Sequence, residues 1–415
     1  FVFNYLNDFK EIRFKVYQYN SIFIMLKNKI NSIQSPIYQD AGFAFENVEQ
    51  LKQAFSEEQN HPHEPDNYIY SRYRNPVVVD AEKELAKIEG SAWSLLTQSG
   101  MSAIDLALSL FHKGKSTKPW LFFSEIYGGT NSYIDLVLKE KRGIDVHTFF
   151  ADDGSYNLDK LDAILAEIRP EVVYFEAVSN PMLIVADAKE IIKLAKRHGA
   201  KVLVDNTFST PLLWKPLEDG ADLVIHSVTK YFAGHGNLTA GAVMGNDMDD
   251  LKQMINYRKW IGHMISPVDA SRLLSFLKTF EIRFLKQCEN AFNLAKILAQ
   301  HPAIDFVHYP GIKTHPTHNN AVKLTRGNAF GAMITFDIAG KDNSEKEKNC
   351  LAFIEEIKEQ IPIVPTLGDV DSIMLPVEAV WGAKYPYPGM IRLSVGIENF
   401  DLLKNDLIKA LDQLK

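Results

Sequence analysis

The chain has little cysteine, no uninterrupted apolar run long enough for a membrane and no surplus of positive charge, and each shortage excludes a class of protein. Two cysteines in 415 residues, Cys288 and Cys350, give no disulfide framework, so a reducing cytosol is the simplest compartment. The apolar start, residues 1–26, is interrupted by Asp8, Lys10, Glu11, Arg13 and Lys15 and cannot span a bilayer. It is too acidic for a transit peptide. Its first methionine is Met25, and residues 1–24 read as a non-native or disordered extension whose deletion leaves activity intact. Lys and Arg number 45 against 52 Asp and Glu, a net charge of −7. That balance speaks against nucleic acid, whose phosphates demand clustered cations. No repeat and no low-complexity tract is visible. His61 and His63 lie with Glu64 and Asp66 in a polar, proline-punctuated stretch, 56–67, which reads as a solvated loop. No second cluster at ligand spacing completes a site there, so no metal is expected.

What remains is the composition of a soluble globular protein, 46% hydrophobic and 23% charged. The length suggests roughly two to three domains. From residue 80 the pattern alternates. Ala81 to Ile88 reads as a helix, and Ser99-Gly100-Met101 opens another with Met101, Ile104, Ala107, Leu108 and Phe111 on one face. Trp120 to Phe123, Val172 to Phe175, Lys201 to Val204 and Leu223 to Ile225 read as buried strands, with a helix over Lys189 to Arg197. Apolar runs alternating with amphipathic helices predict an α/β fold, a mostly parallel sheet covered on both faces. After about residue 265 a smaller α+β domain follows. In it Phe276 to Leu298 reads as one long helix, Ala332 to Asp337 and Ile391 to Val395 as strands, and Leu402 to Leu414 as a closing helix.

In parallel sheets ligands bind beyond the carboxyl ends of the strands. Three successive ends carry polar clusters: Glu176 and Asn180, then Asp205, Asn206 and Thr207, then Ser227, Thr229 and Lys230. Lys230 closes an apolar run, where an ammonium costs several kcal/mol unless it is paired or consumed. A Schiff base consumes it. Pyridoxal phosphate asks for such a lysine and for an acid facing its ring nitrogen, which Asp205 can supply. It also asks for a phosphate cradle, which the helix start at Gly100-Met101 and the hydroxyls of Ser227 and Thr229 can supply. A flat group over the ring completes the set, and Tyr127 beside Gly128 and Gly129 suits that role.

These residues sit in stretches that resemble the Cys/Met-metabolism family of fold-type-I pyridoxal-phosphate enzymes. The family embraces cystathionine γ-synthases, cystathionine lyases, methionine γ-lyases and O-acylhomoserine sulfhydrylases. The similarity runs from about Ser35 to the C-terminus, through Pro36-Ile-Tyr-Gln39, Tyr70-Ser-Arg-Tyr-Arg-Asn-Pro76, Ser99-Gly-Met101, Tyr127-Gly-Gly-Thr130, Glu176 to Pro181, Val204-Asp-Asn-Thr-Phe208, His226-Ser-Val-Thr-Lys-Tyr231 and Arg392-Leu-Ser-Val-Gly-Ile-Glu398. The resemblance implies a transferase-like fold with an arm over 25–80 contacting a neighbouring subunit, a cofactor domain over 81–265 and a smaller domain over 266–415. It implies pyridoxal 5'-phosphate held as a covalent aldimine on Lys230, with Thr207 among the cofactor contacts and Asn180 on the ring oxygen. It further implies that Tyr70 and Arg72 bind the phosphate of a neighbouring subunit, giving an active dimer within a homotetramer. Arg392 would clamp the α-carboxylate of a small amino-acid substrate, with Thr366 near it. Tyr127 would stack on the ring and help take the incoming amine's proton.

The implied activity is elimination or γ-replacement at a sulfur amino acid or O-acylhomoserine, with Lys230 as the α-proton base. The alternatives are an O-acylhomoserine sulfhydrylase and a regulatory homologue that carries the cofactor without turnover. Several positions depart from the family pattern. Asn237 stands where Asp is frequent. Thr366 stands where Ser is frequent, preceded by Pro365 rather than the Glu associated with cystathionine-handling γ-enzymes. Gly129 replaces the Cys of some methionine γ-lyases. Ile373 to Pro376 lacks a His-Pro-Ala stretch and leads into Trp381, Lys384, Tyr385 and Tyr387. That aromatic segment reads either as a loop packing its own rings or as an altered substrate mouth.

Overall fold

The computed structural model describes residues 34–60, 65–112, 114, 118–325 and 329–414. The extension 1–24 and the His61, His63 and Glu64 group lie outside the described residues.

The apolar runs form a seven-stranded sheet: β1 Trp93–Thr97, β2 Trp120–Phe123, β3 Val146–Phe149, β4 Val172–Glu176, β5 Lys201–Asp205, β6 Leu223–His226 and β7 Gly241–Gly245. Its order is β1-β7-β6-β5-β4-β2-β3. Neighbours from β6 to β3 pair in parallel, whereas β7 runs antiparallel to both β6 and β1. Helices cover the sheet, so β1, β2, β4, β6 and β7 are buried at every position. This is why they read as unbroken apolar stretches rather than alternating ones. β1, β3 and β7 escape the sequence pattern. β3 is mostly half-buried, and β7, Gly-Ala-Val-Met-Gly, is too small-residued to announce a strand.

The second sheet has four antiparallel strands: β8 Ile304–His308, β9 Met333–Ile338, β10 Ile373–Pro376 and β11 Met390–Ser394, in the order β10-β11-β9-β8. Its core joins Ile334, Phe336 and Leu393 to Phe353 and Leu407 of two covering helices.

The helices follow their local chemistry, with two corrections. Pro76–Glu89 starts under Asn75, whose side chain accepts from the Val77 N–H, and stops at Gly90 with φ 79°. Gly100–Ser109 starts under Ser99 and is buried on nearly every side rather than on one face, since it lies between the sheet and the helix Met248–Ile261. The first correction concerns 56–67. The helix Val48–Asn60 runs through its first half, because Glu58 is buried against Lys259 Nζ at 3.0 Å. The second concerns 276–298, which is two helices, Pro267–Leu277 and Phe280–Leu298. Arg283 stabilises the break. Its guanidinium donates to the carbonyls of Phe276, Tyr231 and Phe232, and its Nε to Thr279 Oγ1. Those contacts tie the start of the small domain to the chain just after Lys230, and no local pattern encodes them.

Candidate active site

Register brings the first group together. β4 pairs with β5 so that Glu176 stands opposite Asp205, and β5 with β6 so that Asp205 stands opposite Ile225. The residues that follow these strand ends line one cavity of about 250 Å³, with Asn180, Asp205, Thr207, Ser227, Thr229 and Lys230 among its walls. Asp205 accepts from the Thr207 N–H at 3.0 Å, from Thr207 Oγ1 at 2.6 Å and from the Tyr174 hydroxyl at 3.3 Å. Burial nevertheless raises its pKa. Glu176, buried beside it, is raised further by burial and by the charge of Asp205. Two neighbouring buried carboxyls without a cation in contact favour a positively charged group between strand ends.

At the other end of the cavity the backbone closes in. Gly100 and Met101 head their helix, where N–H groups have no intrahelical acceptor. A Cβ on Gly100 would stand 3.0 Å from Ser227 Oγ, and one on Gly241 would stand 2.2 Å from the Ser99 carbonyl oxygen. Glycine at both places lets β7, the helix start and the Ser227 turn converge. Thr207 Oγ1 also accepts the Ser227 N–H at 2.8 Å, so one hydroxyl couples the Asp205 end to this cradle. The Thr229 hydroxyl exchanges hydrogen bonds with both backbone groups of Ala240 and shapes the cradle through them.

The small sheet closes the third side. Arg392 lies inside β11 and is 4% exposed. It donates from Nη1 to Asn180 Oδ1 at 3.0 Å and from Nη2 to the Thr366 carbonyl at 2.8 Å, while its buried Nε finds no partner. Lys230 Nζ donates to Thr366 Oγ1 at 2.8 Å. Among the described residues neither cation has an ion-pair partner. Burial, then the nearby Arg392, pulls Lys230 down to about 8, and burial pulls Arg392 to about 10. Two desolvated cations facing one cavity are a strong claim on an anionic ligand.

Tyr127 sits at the rim, half exposed, with its N–H donated to Glu176 Oε1 at 2.5 Å. A Cβ on Gly129 would fall 2.4 Å from the Tyr127 ring, so a larger residue there would displace the ring. Tyr70 and Arg72 are not part of this cavity. Arg72 donates to the Lys259 carbonyl at 2.6 Å and packs against Tyr70, Tyr73 and Trp260. One contributor, Tyr174, escaped the sequence reading, and one contact of a residue it named, Glu176, did so too. Glu176 was visible only as a polar residue at a strand end, and its hold on Tyr127 spans 49 residues. Tyr174 lies inside an apolar run, and nothing local marks its bond to Asp205.

Pyridoxal phosphate fits these residues. The cavity offers a neutralisable amine at Lys230, paired carboxyls at the end a protonated ring nitrogen would occupy, and a glycine cradle at the phosphate end. Among the described residues no group of three or more His, Cys, Asp and Glu is placed to hold a metal. No helix there is long and apolar enough to cross a membrane.

Comparison with known proteins agrees. Residues 24–412 match the family described as Cys/Met metabolism PLP-dependent enzyme. An L-methionine gamma-lyase of Fusobacterium nucleatum subsp. polymorphum is 34% identical over 400 residues, covering 94% of this chain and 96% of the relative. A cystathionine beta-lyase of Lactococcus lactis subsp. cremoris is 35% identical over 391 residues, covering 92% and 94%. The crystal structure of a cystathionine gamma synthase from Xanthomonas oryzae pv. oryzae superposes with a TM-score of 0.80 at 29% identity, covering 92% and 94%. The protein is a pyridoxal-phosphate-dependent enzyme, and the chain belongs to the Cys/Met-metabolism family.

Proposed function

We propose that the enzyme breaks the Cγ–S bond of an L-amino-acid thioether and, consuming one water, releases a thiol, a 2-oxo acid and ammonia. The observation that carries this reading is the pair of buried cations, Lys230 and Arg392, that meet at Thr366 and have no ion-pair partner among the described residues. When bound, pyridoxal phosphate supplies the electron sink that makes an α-proton removable. In this reading Lys230 carries its cofactor bond, and Asp205 keeps the ring nitrogen charged. Gly100, Met101 and Ser227 surround the phosphate, while Tyr127 covers the ring. Arg392 holds the α-carboxylate, with Asn180 and the Thr366 carbonyl fixing its fork. Once freed, Lys230 Nζ is the proton carrier. Burial, which pulls its pKa from 10.5 to about 8, makes the amine far easier to deprotonate than an exposed lysine, and Thr366 Oγ1 aims it from 2.8 Å. Moving a proton from Cα to another position is what a γ-elimination requires of it. Arg72, lodged away from this chain's own cavity, supports its use, with Tyr70, in the site of a second subunit. Pro365 lines the cavity and offers no charge to the distal ammonium of cystathionine, which favours a smaller thioether such as methionine.

The test is mass-spectrometric product analysis of the cofactor-loaded protein with L-methionine and with L-cystathionine. Release of 2-oxobutyrate and methanethiol from methionine is expected. Pyruvate and homocysteine from cystathionine alone would overturn the γ-position. Turnover only of an O-acylhomoserine with added thiol would replace lysis by substitution.

A further inference from the structure

We infer that Trp381 sets the side-chain specificity of this site by forming an apolar wall that excludes a charged distal end. The inference rests on the reading of Arg392 as the α-carboxylate anchor. Trp381 ends a short helix, Val377–Trp381, in the segment between β10 and β11. Its indole packs over the Arg392 guanidinium, 5.6 Å from ring centroid to Cζ. Its Nε1 lies 3.9 Å from where a Cβ on Gly128 would stand. One side chain therefore spans from the carboxylate anchor to the loop that carries Tyr127.

The segment is fixed against that loop. The Tyr385 hydroxyl donates to Glu125, Lys384 Nζ donates to the Ser124 carbonyl at 3.1 Å, and Lys384 stands 3.8 Å from Glu125. Val377, Tyr385 and Met390 form a small buried cluster on which Trp381 rests. The aromatic segment is thus neither a self-contained loop nor a detached flap. It bridges the small domain to residues 124–128 of the large one.

The consequence for substrates follows from charge. A substrate held at Arg392 runs its side chain toward the mouth between Trp381 and Tyr127. A methylthio or acyl end meets an indole face, which costs nothing in desolvated charge. The distal ammonium and carboxylate of cystathionine would meet the same face. The charges of this segment and the loop it docks on, Lys384 and Glu125, are already matched to each other and to Ser124 and Tyr385. Leaving charged groups near an apolar wall without partners is penalised.

The test measures binding of L-methionine and L-cystathionine by calorimetry, separately from product formation. It compares the cofactor-loaded wild type with Trp381→Ala and Trp381→Gln. Wild type is expected to favour methionine by about tenfold or more in Kd. Each variant is expected to narrow that ratio by about tenfold, chiefly through tighter cystathionine binding. Trp381→Gln keeps much of the volume and guards against a collapse of the cluster around Tyr385 in the alanine variant. A Kd ratio within twofold of wild type in the folded, cofactor-loaded variants would overturn the inference. Release of no 2-oxo acid from either compound would instead overturn the proposed lysis, and the binding ratio would still decide the role of Trp381.

Discussion

The two sheets serve the cavity in different ways. The large sheet contributes from the carboxyl ends of parallel strands, where Glu176, Asp205 and the turn to Lys230 converge because their strands run side by side in the same direction. The small sheet is antiparallel and has no such common end. It contributes Arg392 from within β11 and Thr366 from the loop before β10. In the proposed reading the large sheet builds the cofactor end of the site, and the small sheet builds the substrate end. The division teaches that damage to the two should be separable, cofactor retention failing with one and substrate affinity with the other.

The sharpest way to break that comparison is at the contact between them. Lys230→Ala is expected to lower turnover by more than about a thousandfold, since it removes both the cofactor bond and the proton carrier. The characteristic absorbance of the bound cofactor should vanish with it. Wild-type turnover in that variant would dismiss the whole site. Next, Arg392→Ala is expected to lower kcat/KM by roughly a hundred- to a thousandfold, as loss of a buried charged partner does, with the cofactor spectrum unchanged. A loss of cofactor instead would show that the small sheet is not confined to the substrate end.

Core substitutions sharpen the comparison further. Leu203 in β5 and Phe336 in β9 are both fully buried, and alanine at either is expected to cost about 3–4 kcal/mol in urea denaturation. At sub-denaturing urea, Leu203→Ala should release cofactor first and Phe336→Ala should first raise KM.

A pH experiment isolates the buried amine. In the cofactor-free protein the native Lys230 pKa is about 8, against an ordinary 10.5. Below about 8 both native and unfolded chains hold the proton. Between there and 10.5 only the unfolded chain does, so stability rises with pH across that window. The rise is at most about 3 kcal/mol, at about 1.4 kcal/mol per pH unit. Lys230→Met should abolish the rise and exceed wild type in stability at pH 7, as read from urea midpoints between pH 7 and 10. The smallest effect is expected from Thr366→Val. Loss of its hydrogen bond to Lys230 is worth about 1 kcal/mol, or a fewfold fall in kcat with KM nearly unchanged.

Much of the large sheet was legible because a strand buried on both faces must be apolar along its body, as residues 172–175 and 223–225 are. The polar residues at their ends stood out against that background, which is why Asp205 and Lys230 could be singled out. β7 was not legible, since two glycines and an alanine carry no strand signal. Gly241 allows close approach to Ser99 and Gly245 close approach to the Trp93 ring, contacts made across the fold. The break near Thr279 was hidden for a similar reason, because Arg283 stabilises it through carbonyls around Tyr231. Trp381 was visible as an aromatic in an odd segment, but its place over Arg392 was not.

The sequence by itself determined the alternation of strands and helices, the polar strand ends that carry Asp205 and Lys230, and the family. These are properties of short stretches, where periodicity and residue chemistry act over a few positions. Tertiary structure alone decided that Arg392 and Lys230 share Thr366, that Glu176 holds Tyr127, and that Trp381 lies over Arg392 and beside Gly128. These contacts are made across the fold, through neighbouring strands of the large sheet for Glu176 and Tyr127 and through the packing of the two sheets for Lys230 and Thr366, and no local pattern encodes them.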